Sequence, residues 1–320
     1  MTTRIIGTGS CPGDRVVTNE DLAQIVETSD EWIASRTGIR QRHLTTGMGN
    51  SRMAAEAAKR ACENAGIRPE ELDLILTATS TPEYCFPSTA CQVQAEIGAV
   101  NAAAFDISAA CTGFVFALIT AESFLASGMY RTILVIGADE LSKVVDWEDR
   151  KTCVLFGDGA GACVVRAEES GSFHGIMGAD GSRGPVLTCL SRSGGNFLTG
   201  EKPEHGFISM DGQEVFKFAV KKVPECVNEL LAAQNRKKEE VRYYILHQAN
   251  ERIIESVAKR LKEPIEKFPM NIQNYGNTSG ASIPILLDEM NRQGKLDKGD
   301  TIVLAGFGGG LTWGAVLLTW

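Results

Sequence analysis

The order of strands and helices is repeated in the two halves of this 320-residue chain, and this repeat limits the possible folds more than any other feature. Apolar runs typical of buried strands lie in the first half at residues 73–79, 103–107, 132–137 and 160–165. Similar runs lie in the second half at residues 243–247, 301–305 and 313–319. This pattern predicts an α/β fold duplicated into residues 1–171 and 172–320. A chance likeness between two ordinary α/β halves is the alternative.

Helical periodicity and terminal turn signals indicate the helices that separate these strands. The helical segments are residues 50–65, 112–127, 250–261 and 279–290. Residues 181–212 differ, because glycine, serine and charged residues replace the periodic pattern there. We expect a surface excursion in that stretch, either a mobile loop or a hairpin.

Composition excludes several classes of protein. The formal net charge of −8 argues against general nucleic-acid binding, which needs a basic surface. Nine cysteines, an odd number without a CxxC pair, argue against a disulfide framework or a zinc site. The first residues lack the apolar core of a signal peptide, and no run of about eighteen apolar residues occurs. We therefore expect a cytoplasmic protein without a membrane span or a metal site.

Cys111 is the first candidate for chemistry. It follows serine and alanines in the stretch FDISAACTGF, and a predicted helix begins directly after it. A thiol at a helix N-terminus lies near unpaired N–H groups and the positive end of the macrodipole, which lowers its pKa and favours the reactive thiolate. A buried cysteine that merely packs as a small apolar residue is the alternative.

Three further segments carry polar or bare backbone groups next to predicted elements. His247 ends an apolar strand in ILHQAN, at the edge where α/β sheets form sites, although a structural histidine is equally consistent. Asn277 lies in the turn YGNTSGAS, where an ordinary turn residue is the alternative. The glycine-rich stretch GFGGGLTWG, residues 306–314, has no phosphate-loop signature, but its bare N–H groups can approach a reacting oxygen.

Taken together, five motifs resemble the β-ketoacyl-acyl-carrier-protein synthase III family of the thiolase superfamily, and the resemblance covers essentially the whole chain. The motifs are FDISAACTGF, FGDGAGA, ILHQAN, YGNTSGAS and GFGGGLTWG. The resemblance implies a thiolase-like α/β fold, a duplicated five-layered α-β-α-β-α sandwich with mixed sheets. It also implies a catalytic triad of Cys111, His247 and Asn277, and an oxyanion hole formed by the N–H groups of Cys111 and Gly309. No cysteine follows Cys226, which distinguishes the chain from degradative thiolases.

The implied reaction is a decarboxylative condensation that initiates type II fatty acid synthesis. A short acyl-CoA primer would load Cys111, and malonyl-acyl carrier protein would then be decarboxylated and joined to the acyl group. Coenzyme A enters only as part of a substrate, so no cofactor is implied. A related starter-unit or natural-product ketosynthase with another acyl donor is the alternative. A non-catalytic subunit that binds the carrier protein is a further one, which the intact triad disfavours.

The resemblance also assigns ligand-binding positions. Trp32 and Arg36, four residues apart on a predicted helix, would bind CoA, although a structural pair is the alternative. The implied CoA-binding set is Trp32, Arg36, Arg150, Thr28, Phe216 and Asn250. The implied acyl pocket is Phe86, Leu141 and Phe156, with Phe86 reaching across the interface of a homodimer. The implied carrier-protein docking set is Arg252, Lys217, Lys259 and Arg260, for which an ordinary solvated helix face is the alternative.

Overall fold

The computed structural model describes residues 2–191, 195, 198–200 and 206–320. The strands are β1 Thr2–Pro12, β2 Arg15–Thr18, β3 Gln41–Leu44, β4 Leu74–Ala78, β5 Ala103–Ile107, β6 Thr132–Glu140, β7 Asp158–Glu168, β8 Phe173–Ala179, β9 Leu187–Cys189, β10 Ile208–Met210, β11 Tyr243–Leu246, β12 Thr301–Gly308 and β13 Thr312–Thr319. The helices are α1 Asn19–Leu22, α2 Asp30–Thr37, α3 Asn50–Ala65, α4 Thr89–Ile97, α5 Gly113–Ala126, α6 Gly212–Ala233, α7 Glu251–Leu261, α8 Ile272–Tyr275 and α9 Ser282–Arg292.

Two mixed sheets have the same strand order. The first sheet runs β1-β7-β6-β4-β5, and the second runs β8-β13-β12-β11. In both sheets the edge pair, β1 with β7 or β8 with β13, is antiparallel, and so is the next pair, β7 with β6 or β13 with β12. The crossover pair, β6 with β4 or β12 with β11, is parallel. The first sheet differs only by the additional edge strand β5, which pairs with β4. The matched order supports the predicted duplication.

The apolar cores define five layers. Helices α3 and α4 cover the outer face of the first sheet, and α6 and α7 cover the outer face of the second. Between the sheets, α5 and α9 share one core with strands of both, including Leu76 and Leu304. The predicted α-β-α-β-α sandwich with mixed sheets is confirmed. Burial of both faces of the sheets explains why their strands are apolar along their length.

The predicted helices are confirmed with small changes at their starts. The helix over residues 50–65 ends as expected, with Gly66 in the left-handed region at φ 66°. The two central helices each begin with a 3-10 turn, Ala110–Thr112 before α5 and Ser279–Ala281 before α9. The sequence analysis gives no assignment to the 22-residue helix α6, which follows a glycine-rich stretch and contains Pro224.

The stretch 181–212 contains a 3-10 helix, Gly181–Val186, and an antiparallel pair formed by β9 and β10. Its predicted surface excursion therefore includes a hairpin, while residues 192–194, 196–197 and 201–205 lie outside the described ones. The predicted boundary at 171/172 falls between β7 and β8 and stays a prediction. Within the described residues, no helix combines the length and the apolarity needed to cross a bilayer.

Candidate active site

The two 3-10 turns lie at the centre of the molecule, and each packs against the sheet of the other half. Both begin with a residue in the left-handed region, Ala110 at φ 46° and Ser279 at φ 51°. A Cβ atom added to Gly306 of β12 would lie 3.5 Å from the carbonyl oxygen of Cys111, and one added to Gly137 of β6 would lie 2.3 Å from that of Gly280. Each turn is thus held against the strand of the opposite half.

Cys111 lies in the first of these turns, directly before α5, as the sequence predicts. Its closest backbone neighbour across the site is Gly308, where an added Cβ would lie 2.9 Å from the Cys111 Cβ and 3.0 Å from its backbone nitrogen. The missing side chain at Gly308 is therefore what allows the turn to approach β12. At Gly309 an added Cβ would meet only ordinary contacts, the nearest at 3.5 Å.

The expected lowering of the Cys111 pKa is wrong for the free protein. Burial raises the pKa of the Cys111 thiol to about 12, and the negative charge of Asp139 acts in the same direction, whereas a hydrogen bond from the Ser279 hydroxyl opposes the rise. A helix N-terminus contributes only about 0.3–2 kcal/mol. Loss of hydration outweighs that contribution, so Cys111 is held as a neutral thiol.

Ser279 and Asp139 form the wall next to Cys111. The Ser279 hydroxyl is within hydrogen-bonding reach of both the Cys111 sulfur and the Asp139 carboxylate. Asp139 is fully buried at the end of β6 and accepts hydrogen bonds from the N–H groups of Ser80, at 2.8 Å, and Gly280, at 3.3 Å. Because this carboxylate is bound from several sides, it fixes the position of the second turn.

His247 follows β11, and its ring is buried with 1% of the residue exposed. Burial lowers the pKa of His247 to about 3, so the imidazole is neutral at physiological pH. The Nδ1 atom lies 2.7 Å from the Ser282 hydroxyl oxygen, and the Phe307 ring packs edge-on against the imidazole with 5.3 Å between centroids. A neutral imidazole can donate one hydrogen bond but carries no charge of its own.

Asn277 is fixed by its backbone and by its side chain. Its N–H donates to Leu155 O at 2.9 Å and its carbonyl accepts the N–H of Gly157 at 3.0 Å, which forms a parallel bridge around Phe156. Its Oδ1 accepts the N–H of Ser279 at 2.8 Å. The oxygen of the side chain is thus used within the turn, and its NH₂ group remains as the donor that chemistry can use.

The second turn and its helix therefore link all three candidate catalytic residues. Cys111 contacts Ser279, Asn277 accepts from Ser279, and His247 contacts Ser282. The predicted oxyanion residue Gly309 is linked to the same region, since its carbonyl accepts from the Thr312 hydroxyl at 3.0 Å. The Thr312 oxygen in turn lies 2.8 Å from the hydroxyl of Thr112, the neighbour of Cys111.

A separate cluster on α2 brings together several of the predicted CoA-binding residues. The guanidinium carbons of Arg36 and Arg150 lie 4.7 and 4.8 Å from the centroid of the Trp32 ring. Arg150 also donates to the carbonyl of Glu27 at 2.7 Å, next to Thr28. Thr28 contributes a buried hydroxyl oxygen without a hydrogen-bond partner among the described residues. Two cations on one half-buried indole form a surface suited to an aromatic ligand with phosphates.

Asn250 and Arg252 join this cluster through α2. The Asn250 side chain caps α7 by accepting the N–H of Arg252 at 2.9 Å, and it donates to Arg36 O at 3.0 Å. The guanidinium of Arg252 donates to the carbonyl of Ser35. Arg252, predicted for carrier docking, therefore lies beside the predicted CoA-binding residues. Both polar groups of the Asn250 side chain already have structural partners.

The other predicted binding residues lie farther along the outer layer. Phe216 packs on the core beneath α6 and α7, and Lys217 forms an ion pair with Glu214 at 2.8 Å. Lys259 and Arg260 are exposed in the last turns of α7, about 10 Å along the helix from Arg252. The docking set therefore includes α6, through Lys217, and both ends of α7.

The predicted acyl-pocket residues divide into two groups. Leu141 and Phe156 are buried in one small core cluster, and Phe156 bridges Asn277. Phe86 is 86% exposed and belongs to the surface near the loop 84–87. In the single chain, Phe86 therefore lies outside the apolar cluster that contains the other two.

Comparison with known proteins identifies the family. Residues 105–181 match the family described as 3-oxoacyl-[acyl-carrier-protein (ACP)] synthase III, and residues 231–320 match its C-terminal part. The β-ketoacyl-[acyl-carrier-protein] synthase III of Clostridium acetobutylicum is 51% identical over 318 residues, which cover 99% of this chain and 98% of that protein. The chain belongs to the β-ketoacyl-[acyl-carrier-protein] synthase III family.

Solved structures agree over the full length. The crystal structure of 3-oxoacyl-[acyl-carrier-protein] synthase III from Aquifex aeolicus VF5 has a TM-score of 0.93 and 51% identity, covering 99% of this chain and 100% of that one. The priming β-ketosynthase from the R1128 polyketide pathway has a TM-score of 0.91 and 33% identity, covering 99% and 96%. As a synthase III family member, the chain is a condensing enzyme of the acyltransferase class.

Three residues that shape the site are not predicted from the sequence. Ser279 and Ser282 lie within the motif YGNTSGAS and at its end, but nothing in the motif indicates which serine contacts which partner. Asp139 ends an otherwise apolar strand, TILVIGADE, and an unexpected carboxylate after a buried strand is the signal that could have identified it. The contact of Ser282 with His247 spans 35 residues and that of Asp139 with Gly280 spans 141, and only the fold reveals both.

Proposed function

We propose that this synthase III family member joins a short acyl-CoA primer to malonyl-acyl carrier protein through a Cys111 acyl-enzyme, giving a β-ketoacyl-acyl carrier protein that starts fatty acid synthesis. The observation that supports the mechanism most is the meeting of the Cys111 turn with Gly308 and with Ser279, in the segment that also holds Asn277 and contacts His247. One nucleophile candidate and two neutral donors in a buried site suit acyl transfer.

The first half-reaction transfers the acyl group. The Cys111 sulfur attacks the thioester carbonyl, and the C–S bond to coenzyme A breaks. The thiol proton of Cys111 ends on the departing sulfur, so that free coenzyme A leaves and an acyl-cysteine remains. The backbone N–H groups of Cys111 and Gly309 are the proposed donors to the oxyanion, and loss of one such donor typically costs about 2.7–4 kcal/mol.

The second half-reaction makes the carbon–carbon bond. The malonyl carboxylate leaves as carbon dioxide, and its bonding electrons form an enolate on the thioester. His247 and the NH₂ group of Asn277 donate hydrogen bonds to the enolate oxygen. The enolate carbon then attacks the acyl-cysteine, and Cys111 leaves as a thiolate and takes up a proton. No metal or redox partner is required by this balance.

The decisive test separates the two half-reactions. Incubation with acetyl-CoA is expected to add the mass of one acetyl group to the wild-type chain and nothing to Cys111→Ser. His247→Ala and Asn277→Ala are expected to load normally but to decarboxylate malonyl-acyl carrier protein slowly. An acetyl group on the Cys111→Ser protein, or its absence from the wild type, contradicts the proposal.

CoA binding is proposed for the Trp32 cluster, because the half-buried indole and the two guanidiniums match a phosphate-bearing purine. An adenine between Trp32 and Arg150 requires Arg150 to give up its present contact with the ring. Thr28, Phe216 and Asn250 are the proposed positions along the pantetheine. Trp32→Ala is expected to raise the KM for acetyl-CoA about ten-fold while leaving kcat nearly unchanged.

Carrier docking is proposed for α7 and the start of α6, with Arg252, Lys217, Lys259 and Arg260 facing the acidic partner. Because Arg252 adjoins the CoA cluster, the cleaner test uses the far end of the helix. Lys259→Glu with Arg260→Glu is expected to raise the KM for malonyl-acyl carrier protein and to leave acetyl-CoA loading unchanged. An unchanged carrier KM removes these two residues from the docking surface.

A homodimer is proposed through β5. Among the described strands β5 pairs only with β4, and its Phe105 is 39% exposed, so this edge of the sheet can accept another strand. The exposed Phe86 would then reach the partner's acyl pocket beside Leu141 and Phe156. Sedimentation is expected to give a dimer for the wild type and a monomer for Phe105→Lys. A monomeric wild type contradicts this part of the proposal.

The related alternative is a starter-unit ketosynthase of a natural-product pathway. The similarity to the R1128 priming β-ketosynthase supports it, but at 33% identity against 51% for the synthase III relatives. A panel of acyl-CoA primers with malonyl-acyl carrier protein, read by product mass, distinguishes the two functions and gives the primer preference.

A further inference from the structure

The Ser282 hydroxyl contacts two groups of the His247 segment. Its oxygen lies 2.7 Å from Nδ1 of the imidazole and accepts the backbone N–H of Gln248 at 3.2 Å. Ser282 is the first residue of α9 and is 3% exposed. The imidazole is thus held at Nδ1 by a buried hydroxyl, and the start of α9 fixes the position of that hydroxyl.

The protons available on the Ser282 hydroxyl and on Nδ1 of His247 determine which of the two groups donates the hydrogen bond. A serine hydroxyl has one proton and two lone pairs. The Gln248 N–H occupies one lone pair of Ser282. In the part of the chain that the structure describes, the only acceptor in contact with the hydroxyl proton is Nδ1 of His247. If Nδ1 carried a proton instead, the buried hydroxyl proton would lack an acceptor, which typically costs 1–3 kcal/mol.

We propose that Ser282 is a positioning residue that holds His247 as the tautomer with its proton on Nε2. This inference rests on the proposed function and deepens it, because it specifies what His247 can do. An imidazole with a proton on Nε2 donates a hydrogen bond there, to the thioester oxygen that becomes the enolate. It cannot accept the Cys111 proton at that atom, so His247 is a donor and not the base that activates the thiol.

The environment of the ring supports this assignment. The pKa of His247 is lowered to about 3 by burial, so the doubly protonated form is absent at neutral pH. The matching contact in the other half is between Ala78 and Gly113, where a Cβ on Gly113 would lie 2.9 Å from the Ala78 Cβ. The same helix start packs there without any polar group, so the fold itself does not require a hydroxyl at Ser282.

Nitrogen-15 NMR of the histidine-labelled protein tests the tautomer directly. The resonances of His247 are identified by their loss in His247→Asn. In the wild type we expect Nδ1 to be of the pyridine type and Nε2 of the pyrrole type, without change between about pH 5 and 8. Ser282→Ala is expected to shift the Nδ1 resonance. A pyrrole-type Nδ1 in the wild type overturns the proposal.

Kinetics of the separate half-reactions test the consequence. Ser282→Ala is expected to slow decarboxylation of malonyl-acyl carrier protein about ten-fold, while acetyl loading of Cys111 changes less than about two-fold. Ser282→Thr keeps the hydroxyl and is expected to restore most of the rate. Equal losses in both half-reactions, or no recovery with threonine in a folded protein, contradict a positioning role.

Thr278→Val is the matched control. Thr278 is buried in the same segment, and its hydroxyl oxygen has no hydrogen-bond partner within the described residues. Removing that hydroxyl is expected to leave the His247 resonances unchanged. If the wild type shows a pyridine-type Nδ1 but takes no acetyl group from acetyl-CoA, the tautomer assignment stands and the proposed function fails. The two ideas can therefore fail separately.

Discussion

The turn that contains Cys111 and the turn that contains Gly280 occupy equivalent positions in the two halves. Each begins with a left-handed residue, forms one 3-10 turn and continues into a central helix. Gly306 packs on the carbonyl of Cys111, and Gly137 packs on that of Gly280. The middle residue of the first turn carries a thiol, and the middle residue of the second, Gly280, has no side chain, although the backbone framework is the same.

The strands that face the two turns also differ, because one has a carboxylate where the other has a glycine. Counted from the paired strand starts Thr132 and Thr301, Asp139 of β6 is equivalent to Gly308 of β12. Gly308 has no side chain and so allows the Cys111 turn to approach, whereas the Asp139 carboxylate accepts a hydrogen bond from the N–H of Gly280. A duplicated fold therefore provides two helix starts of the same geometry, and the one that packs on Gly308 carries the thiol, whereas the one bound by Asp139 carries a glycine.

The ends of β4 and β11 show a third difference of this kind. Ala78 meets Gly113 with carbon atoms only, and at the equivalent positions His247 meets Ser282 through a hydrogen bond. The nucleophile candidate thus comes from the first half and the hydrogen-bond donors come from the second. The comparison indicates that the halves have diverged in complementary ways to form one site.

The largest expected effect is at Gly308. A Cβ there would lie 2.9 Å from the Cys111 Cβ, so Gly308→Ala must displace the turn that holds the sulfur and its N–H group. We expect acetyl loading to fall at least a hundred-fold, about 2.7 kcal/mol, in a folded protein. Gly306→Ala on the same strand, whose Cβ would meet nothing closer than 3.5 Å, is the control and is expected to stay within about three-fold. Similar rates for both variants would show that Gly308 does not define the site.

The equivalent glycines Gly137 and Gly306 are expected to differ in stability. A Cβ at Gly137 would lie 2.3 Å from the backbone oxygen of Gly280, whereas one at Gly306 would lie 3.5 Å from that of Cys111. We expect Gly137→Ala to lower the free energy of unfolding by about 3 kcal/mol and Gly306→Ala by less than about 1 kcal/mol. Urea denaturation measures both. Equal losses would mean that the two turns are packed alike.

His247 is expected to make stability depend on pH, whereas its equivalent, Ala78, cannot. The unfolded chain takes up a proton at the ordinary pKa of 6.5, but the folded chain does so only near pH 3 because the ring is buried. Stability therefore falls as the pH drops below 6.5. Between pH 7 and 5 the loss is about 2 kcal/mol. Urea denaturation of His247→Asn should show a smaller loss over this range, and an equal loss would contradict the neutral buried ring.

Much of this architecture is readable from the sequence, because burial on both faces leaves a continuous apolar signal in strands such as β4 and β12. The helix ends are also readable, since terminal glycines such as Gly66 mark them. Cys111, His247 and Asn277 are found because their motifs occur together in a known order. The partners Ser282 and Asp139 are not found, since their roles depend on contacts between elements far apart in the chain.

The sequence also does not show the tertiary contacts of Cys111, and this explains why its pKa is expected in the wrong direction. Sequence reveals the helix that begins near Gly113, and thus the contribution of its N-terminus, but not the burial of the thiol by the layers around it. The desolvation of Cys111 depends on Gly308, Ser279 and the surrounding layers, and it reverses the expected direction. For the pKa of the Cys111 thiol, the position at a helix N-terminus gives the smaller contribution and burial in the tertiary structure gives the larger one.

The smallest expected effect is at Gly280, the equivalent of Cys111. A Cβ there would lie 3.3 Å from the carbonyl oxygen of Ala110 and 3.7 Å from the Asp139 carboxylate, so a shift of a few tenths of an ångström accommodates it. We expect Gly280→Ala to change the free energy of unfolding by less than about 1 kcal/mol and acetyl loading by less than about three-fold. The same methyl group is excluded at Gly308, where Cys111 itself is the neighbour. If Gly280→Ala abolished loading, the second turn would have to contribute its backbone to the reaction, and the division between a reacting turn and a supporting one would be wrong.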